Sequence, residues 1–172
     1  MPKVYFLCKL LAYLIVMYVV NTETGEKHLA KVIQVHSLEI AKIDRSQRFD
    51  FNWIEEKTFK VYKLVIDDIE EPIGLLSLRE RPDDYAIEIR LLASSKDNVV
   101  KGQKYRRIAG KMIAFACREA FKAGFGGFVC LKPKTTLEQH YIAKYGFEST
   151  KLFLITEGQN SLKLIKEYYE NQ

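Results

Sequence analysis

The sequence predicts one α/β domain built on a mixed, twisted β-sheet flanked by α-helices. Three observations carry that prediction. The middle of the chain reads strand, basic turn, long amphipathic helix, strand, and a unit of that length pairs its two strands in parallel through a crossover. The segment ahead of it alternates short apolar runs with turn residues, the pattern of an antiparallel meander. Finally, 48% of the 172 residues are hydrophobic, with ten Tyr and ten Phe, enough for one real core.

In chain order, Val4 to Val20 is apolar except for Lys9. The run is shorter than the roughly 20 apolar residues of a bilayer-spanning helix and is broken by a charge. No small-residue cleavage pattern follows it. Its second half has another use, because Ile15 to Asn21 and Leu29 to Val35 flank Glu23-Thr24-Gly25-Glu26 as the two arms of a hairpin. We therefore expect residues 17–172 to form the domain and residues 1–16 to be a hydrophobic extension, with no stable membrane association. Ser37 should cap a short helix over Leu38 to Ile43. Phe49, Phe51 and Trp53 then lie in an irregular stretch and are expected to cover the core. Phe59 to Ile66 and Ile73 to Leu78 read as strands around a turn at Asp67 to Pro72, and Arg81-Pro82-Asp83-Asp84 makes the next turn.

The alternating run Ala86 to Ala93 is the strand that enters the central unit, and Gly127 to Lys132 is the strand that leaves it. Between them, Ala109, Met112, Ile113, Ala116, Ala120 and Phe121 fall at helical spacing on one face, with Lys111, Arg118, Glu119 and Lys122 on the other. Ala123-Gly124 stops the helix. Thr136 can cap a further helix that Gly146 ends. Glu148 to Thr156 supplies one or two last strands, and Ser161 opens a closing helix with Leu162, Ile165 and Tyr169 on one face.

The basic turn is the chemical signal. Lys101, Lys104, Arg106 and Arg107 crowd the start of a helix, where cations are disfavoured by the dipole and free N–H groups await an anion. A cluster held there against that cost points to a phosphate-bearing ligand. Arg107 is expected in helical geometry, because Ile108 and Ala109 run straight into the periodic helix, with its guanidinium toward solvent or a phosphate. The net charge, 27 Lys+Arg against 22 Asp+Glu for +5, suits such a cofactor or a nucleic acid and decides between neither. Cys8, Cys117 and Cys130 have no paired spacing, which argues for a reducing, cytoplasmic setting and against disulfides. His28, His36 and His140 show no ligand spacing, so no metal is expected.

Lys104-Tyr105-Arg106-Arg107-Ile108-Ala109 resembles the acetyl-CoA-binding motif of the GCN5-related N-acetyltransferase (GNAT) superfamily, which reads Gln or Arg, two residues, Gly, one residue, Gly or Ala. Ala109 fits the last position and Met112 the apolar residue three further on. Lys104 stands where Gln or Arg is usual, and Arg107 where Gly is usual. Tyr141-Ile142-Ala143-Lys144-Tyr145-Gly146-Phe147 resembles the superfamily's Tyr-bearing helix that ends in Gly-Phe. The resemblance runs from Tyr85 to Phe153. It implies the GNAT fold and transfer of an acetyl group from acetyl-CoA, as co-substrate, to a primary amine without a covalent intermediate.

The resemblance also implies roles. Backbone N–H groups from Arg106 to Gly110 would cradle the pyrophosphate, within a cofactor site of Leu91, Leu92, Ala93, Lys104, Tyr105, Arg106, Arg107, Ile108, Ala109 and Gly110. An N–H near Leu92, at a strand bulge, would meet the thioester oxygen. Glu88 would be the general base, or else a structural partner of a cross-strand cation such as Lys63. Tyr141 would protonate the leaving thiolate, with Tyr145 as the other candidate; the family's tyrosine position falls on Ile142. The acceptor is open between a small-molecule amine, a protein amine and the amine of a charged tRNA. Two rivals stand beside this reading: a CoA-binding or partner-binding module closed by Arg107, and a nucleic-acid-directed enzyme using the basic turn with Lys132 and Lys134. A homodimer is compatible with all of them.

Overall fold

Alternating apolar residues build the sheet, and the strand order decides where a ligand can enter. The structure, a computed structural model, describes residues 17–67, 69–99 and 103–170. The expected extension 1–16 and Lys101 lie outside the described residues. The first hairpin is β1 (Met17–Val20) and β2 (Lys27–Gln34), with Met17 and Val19 already in the core. Helix α1 (Ser37–Arg45) and a 3-10 turn (Trp53–Thr58) follow, then β3 (Lys60–Ile66), β4 (Ile69–Arg81) and β5 (Ala86–Ser94). Helix α2 (Ile108–Lys122) leads to β6 (Val129–Leu131), α3 (Glu138–Tyr145), β7 (Glu148–Ser149) and β8 (Leu154–Thr156). The chain closes with α4 (Gly158–Ile165) and a π-helical turn (Lys166–Glu170).

The strands form one sheet in the order β1-β2-β3-β4-β5-β6-β8-β7. β5 and β6 pair in parallel, as the central unit predicts, and the other neighbours pair antiparallel. One core lies between the sheet and α2 with the C-terminal helices. A second, on the opposite face, gathers Val35, Ile40, Ile43, Phe49, Trp53, Val61, Leu75 and Ala93 beneath α1 and the 3-10 turn.

Several local expectations are corrected. α1 begins at Ser37 with His36 at the cap and no side-chain cap bond. α4 begins at Gly158, and Ser161 lies buried within it, its Oγ donating to Gly127 O at 2.7 Å. α3 likewise has no capping bond from Thr136. β4 runs through the expected Asp67–Pro72 turn; Pro72 is tolerated because the β3–β4 register shifts between Leu64 and Ile66, which relieves the ladder at that point. Lys111, expected on a solvent face, is 2% exposed. The reason is tertiary: α4 and the π-helical turn cover the side of α2 that faces away from the sheet.

Candidate active site

Two features open a cleft in the sheet. Parallel pairing of β5 and β6 lasts only from Ile87–Val129 to Ile89–Leu131. β5 then continues to Ser94 while the segment after β6 turns away at Pro133, so among the described residues the facing edge of β5 beyond Ile89 has no neighbouring strand. In addition, Ser77 pairs with Leu91 and Leu78 with Ile89, which leaves Arg90 as an extra residue on β5. This is the bulge that the resemblance implied, and it inverts the alternation: Ile89 and Leu92 pack on the α2 core, Leu91 and Ala93 on the other. The resulting cleft, about 480 Å³, is walled by Ile89 to Ser94 on one side and by Leu131 to Lys134 with Tyr141 on the other, and reaches Ala109.

At the end of the cleft, α2 begins without a cap. It carries no side-chain capping bond, and among the described residues the N–H groups of Ile108, Ala109 and Gly110 meet no acceptor in the protein, while that of Lys111 makes the first helical bond to Arg107 O. Three orphan donors at the positive end of a helix are free to meet an anion. The cradle is narrower than expected. The Arg106 N–H donates to Val20 O at 3.1 Å, the Thr22 N–H to Lys104 O at 2.8 Å, and the Tyr105 N–H to Asn98 Oδ1 at 2.9 Å. The first two bonds strap this segment to the first hairpin, and the third ties it to the turn after β5. The Tyr105 ring is 3% exposed and packs edge-on against His28, so it belongs to the core and not to a ligand surface. Lys104 and Arg106 remain exposed.

Arg107 departs from expectation. Its φ is +67°, the left-handed region, not the helical one. This is the conformation a glycine adopts freely, and an Arg there is strained by about 1–2 kcal/mol. Its guanidinium, still partly exposed, lies 4.4 Å from the centre of the Tyr168 ring and donates to Glu167 Oε1 at 2.9 Å. Gly110 makes this packing possible, since a Cβ there would sit 2.0 Å from the Tyr168 ring.

Glu88 is buried on β5, but not in the cleft. Its Oε2 accepts from Arg79 Nε at 3.0 Å and Arg81 Nη1 at 3.2 Å. The cross-strand partners are therefore Arg79 and Arg81, both on β4, not Lys63, which pairs with Glu39. All the guanidinium hydrogen bonds to this carboxylate fall on its Oε2. Arg90 reaches across to the buried Glu56 with bonds of 2.9 and 3.1 Å, and Glu56 also accepts from Ser77 Oγ.

Of the two tyrosines, Tyr141 is half-buried and lines the cleft, with its hydroxyl pushed up from the usual range by burial. Tyr145 is 3% exposed and stacks within the core near Tyr168. Cys130 and Cys117 are buried, and burial pushes their thiols up to about 11 and about 12, which makes them poor nucleophiles. The residue that sequence reasoning missed is Phe51. The pattern that sends Phe49 and Trp53 to the core predicts the same for Phe51, yet only those two are buried. A φ of +74° turns Phe51 out into the cleft, 42% exposed. Its polar neighbours Asp50 and Asn52 were the available signal. Among the described residues there is no cluster of His, Cys, Asp or Glu fit for a metal, and no helix long and apolar enough to cross a membrane.

No protein-family model matches the chain, and no curated protein matches it in sequence. Among solved structures, a mutant of the cAMP-binding acyltransferase from Mycobacterium smegmatis is similar at 11% identity over 99% of this chain, with a TM-score of 0.50. The chain spans 63% of that protein's length. RimJ of Mycobacterium smegmatis, in complex with CoA-disulfide, is similar at 10% identity, covering 90% of this chain and 94% of its own, with a TM-score of 0.48. Nourseothricin acetyltransferase follows at 11% identity, 83% and 84% coverage, and a TM-score of 0.41. With its strand order, its bulged β5 and the parting of β5 from β6, the chain has the fold of the GCN5-related N-acetyltransferases.

Proposed function

We propose that this protein is an N-acetyltransferase that takes an acetyl group from acetyl-CoA and delivers it to a primary amine. One observation carries the reading: the open edge of β5 and Ala109, in the uncapped first turn of α2, border a single cleft. The N–H groups suit the pyrophosphate. The unpaired β5 edge from Arg90 to Ala93 offers backbone partners to the amides of the pantetheine arm, as a sheet edge does to an added strand. A backbone N–H beside the bulge, near Leu92, is the donor we assign to the thioester oxygen as charge develops on it.

The reaction forms an N–C bond and breaks the C–S bond, with the amine proton going to solvent and a proton reaching the leaving thiolate. Tyr141 is our candidate for that last donor, on its place in the cleft wall. Glu88 stands outside this scheme, held by Arg79 and Arg81.

The test separates binding from folding. Ala109→Glu puts a carboxylate at the helix N-terminus, where it favours the helix dipole but competes with the phosphates. Wild type should bind acetyl-CoA and melt at a higher temperature in its presence. The variant should fold as well and lose the binding. Absence of a thermal shift for wild type at millimolar acetyl-CoA would sink the reading.

A further inference from the structure

The charges in the cleft are unevenly matched. Arg90 is neutralised by Glu56. Asp50 is the one carboxylate residue among the described lining residues, and it is exposed at the rim. Lys132 and Lys134 are exposed on the opposite wall, and neither forms an ion pair among the described residues. Their ammonium groups lie over aromatic rings instead, Lys132 over Phe153 at 4.8 Å and Lys134 over Phe51 at 4.8 Å. Lys134 and Phe51 thus meet across the mouth of the cleft.

Phe51 is held there at a cost. The Trp53 indole donates to Asp50 O at 2.7 Å, the Trp53 N–H donates to Asp44 Oδ1 at 2.8 Å, and buried Phe49 and Trp53 anchor both flanks. The loop is over-determined, and the strained residue between its anchors is an exposed aromatic aimed into the site, the arrangement expected of a binding residue.

The same inventory bears on the amine. Deeper than Asp50, the described lining residues include no carboxylate to accept a proton. An amine that is almost wholly charged at neutral pH gains little from this cleft, whereas a peptide α-amine, with a pKa of about 7.7–8.0 against about 10.4 for a lysine side chain, is neutral several hundredfold more often. The free lysines also disfavour a polycation and favour an acceptor that brings negative charge.

We propose that the acceptor is the N-terminus of a peptide with an acidic side chain at its first or second residue, the carboxylate meeting Lys132 and Lys134 and the first residues crossing Phe51. This rests on the acetyltransferase reading. The amine nitrogen bonds the acetyl carbon, the C–S bond breaks, and the products are an N-acetyl peptide and free CoA thiol.

The experiment measures thiol release from acetyl-CoA with four acceptors: a tetrapeptide amide opening Glu-Asp, one opening Lys-Arg, free glutamate and spermidine. Wild type should prefer the acidic peptide by about tenfold or more in kcat/KM. The double variant Lys132→Glu, Lys134→Glu should reverse the order of the two peptides while its acetyl-CoA affinity changes by less than about threefold. Preference for spermidine, the basic peptide or free glutamate overturns the proposal and leaves the acetyltransferase reading standing. So does activity on none of the four by a wild type that binds acetyl-CoA. If the double variant loses acetyl-CoA affinity instead, the lysines serve the donor's phosphates and the proposal falls. A wild type that fails to bind acetyl-CoA overturns both.

Discussion

Lys111→Met tests the most unusual charge in the fold. Lys111 is 2% exposed, and its Nζ donates to Tyr168 O at 3.2 Å. Burial, and then the neighbouring Arg107 charge, push its ammonium down from 10.5 to about 7. The sign follows from linkage. Between those two values the unfolded chain binds a proton that the folded chain does not, so stability rises with pH; below about 7 the folded protein carries the full penalty. For one proton, with a folded pKa near 7, the rise from about pH 6 to about pH 8.5 is about 2 kcal/mol. Above that range the buried Cys117 and Cys130 thiols, raised by burial, oppose it, because their protonated native forms lose stability as pH climbs through the ordinary thiol value of 9.0. Met matches the volume of the lysine stem and gives up one hydrogen bond, a net loss of about 1 kcal/mol. The variant should therefore be more stable than wild type at about pH 6, and its advantage should shrink by about 2 kcal/mol by about pH 8.5. The assay is urea unfolding, followed by the fluorescence of Trp53, the sole tryptophan and 1% exposed. If the wild-type and variant curves stay parallel over that range within about 0.5 kcal/mol, Lys111 titrates as an ordinary lysine and the burial argument is wrong.

Arg107→Gly relieves about 1–2 kcal/mol of left-handed strain and gives up a half-exposed ion pair with Glu167 and the contact over Tyr168, together about 1–2 kcal/mol. Stability should change by less than about 1 kcal/mol and acetyl-CoA affinity by less than about tenfold; a variant that binds acetyl-CoA beside a wild type that does not would mean this side chain closes the site. Gly110→Ala gains about 1 kcal/mol of helix propensity, but its Cβ would meet the Tyr168 ring at 2.0 Å. Overpacking of that kind costs about 1–3 kcal/mol or more, so thermal unfolding should show a net loss of at least about 1 kcal/mol. Glu88→Gln leaves Arg79 and Arg81 facing each other without their shared anion and should destabilise by about 1–3 kcal/mol while the shape of the pH–rate profile is kept. Loss of the acid-side limb from that profile, without loss of stability, would restore Glu88 as the proton acceptor.

What the sequence by itself determined is the order of the elements and the place of the basic turn ahead of α2. The 3.6-residue spacing from Ala109 to Phe121, the alternation from Ala86 to Ala93 and the glycine stops at Gly124 and Gly146 are local signals, readable because helix and strand periodicity act within a few residues. The tertiary structure alone decided the rest of the site. Arg107 leaves the helical region in a fold where Tyr168 and Glu167, some 60 residues on, hold its guanidinium. Lys111 is buried because α4 and the π-helical turn cover a face that periodicity assigned to water. The bulge at Arg90, the pairing of Glu88 with Arg79 and Arg81, and the turn of Phe51 into the cleft all depend on which strand or helix lies opposite. Such features arise from close packing between segments distant in the chain, and a local pattern carries no record of what will be packed against it.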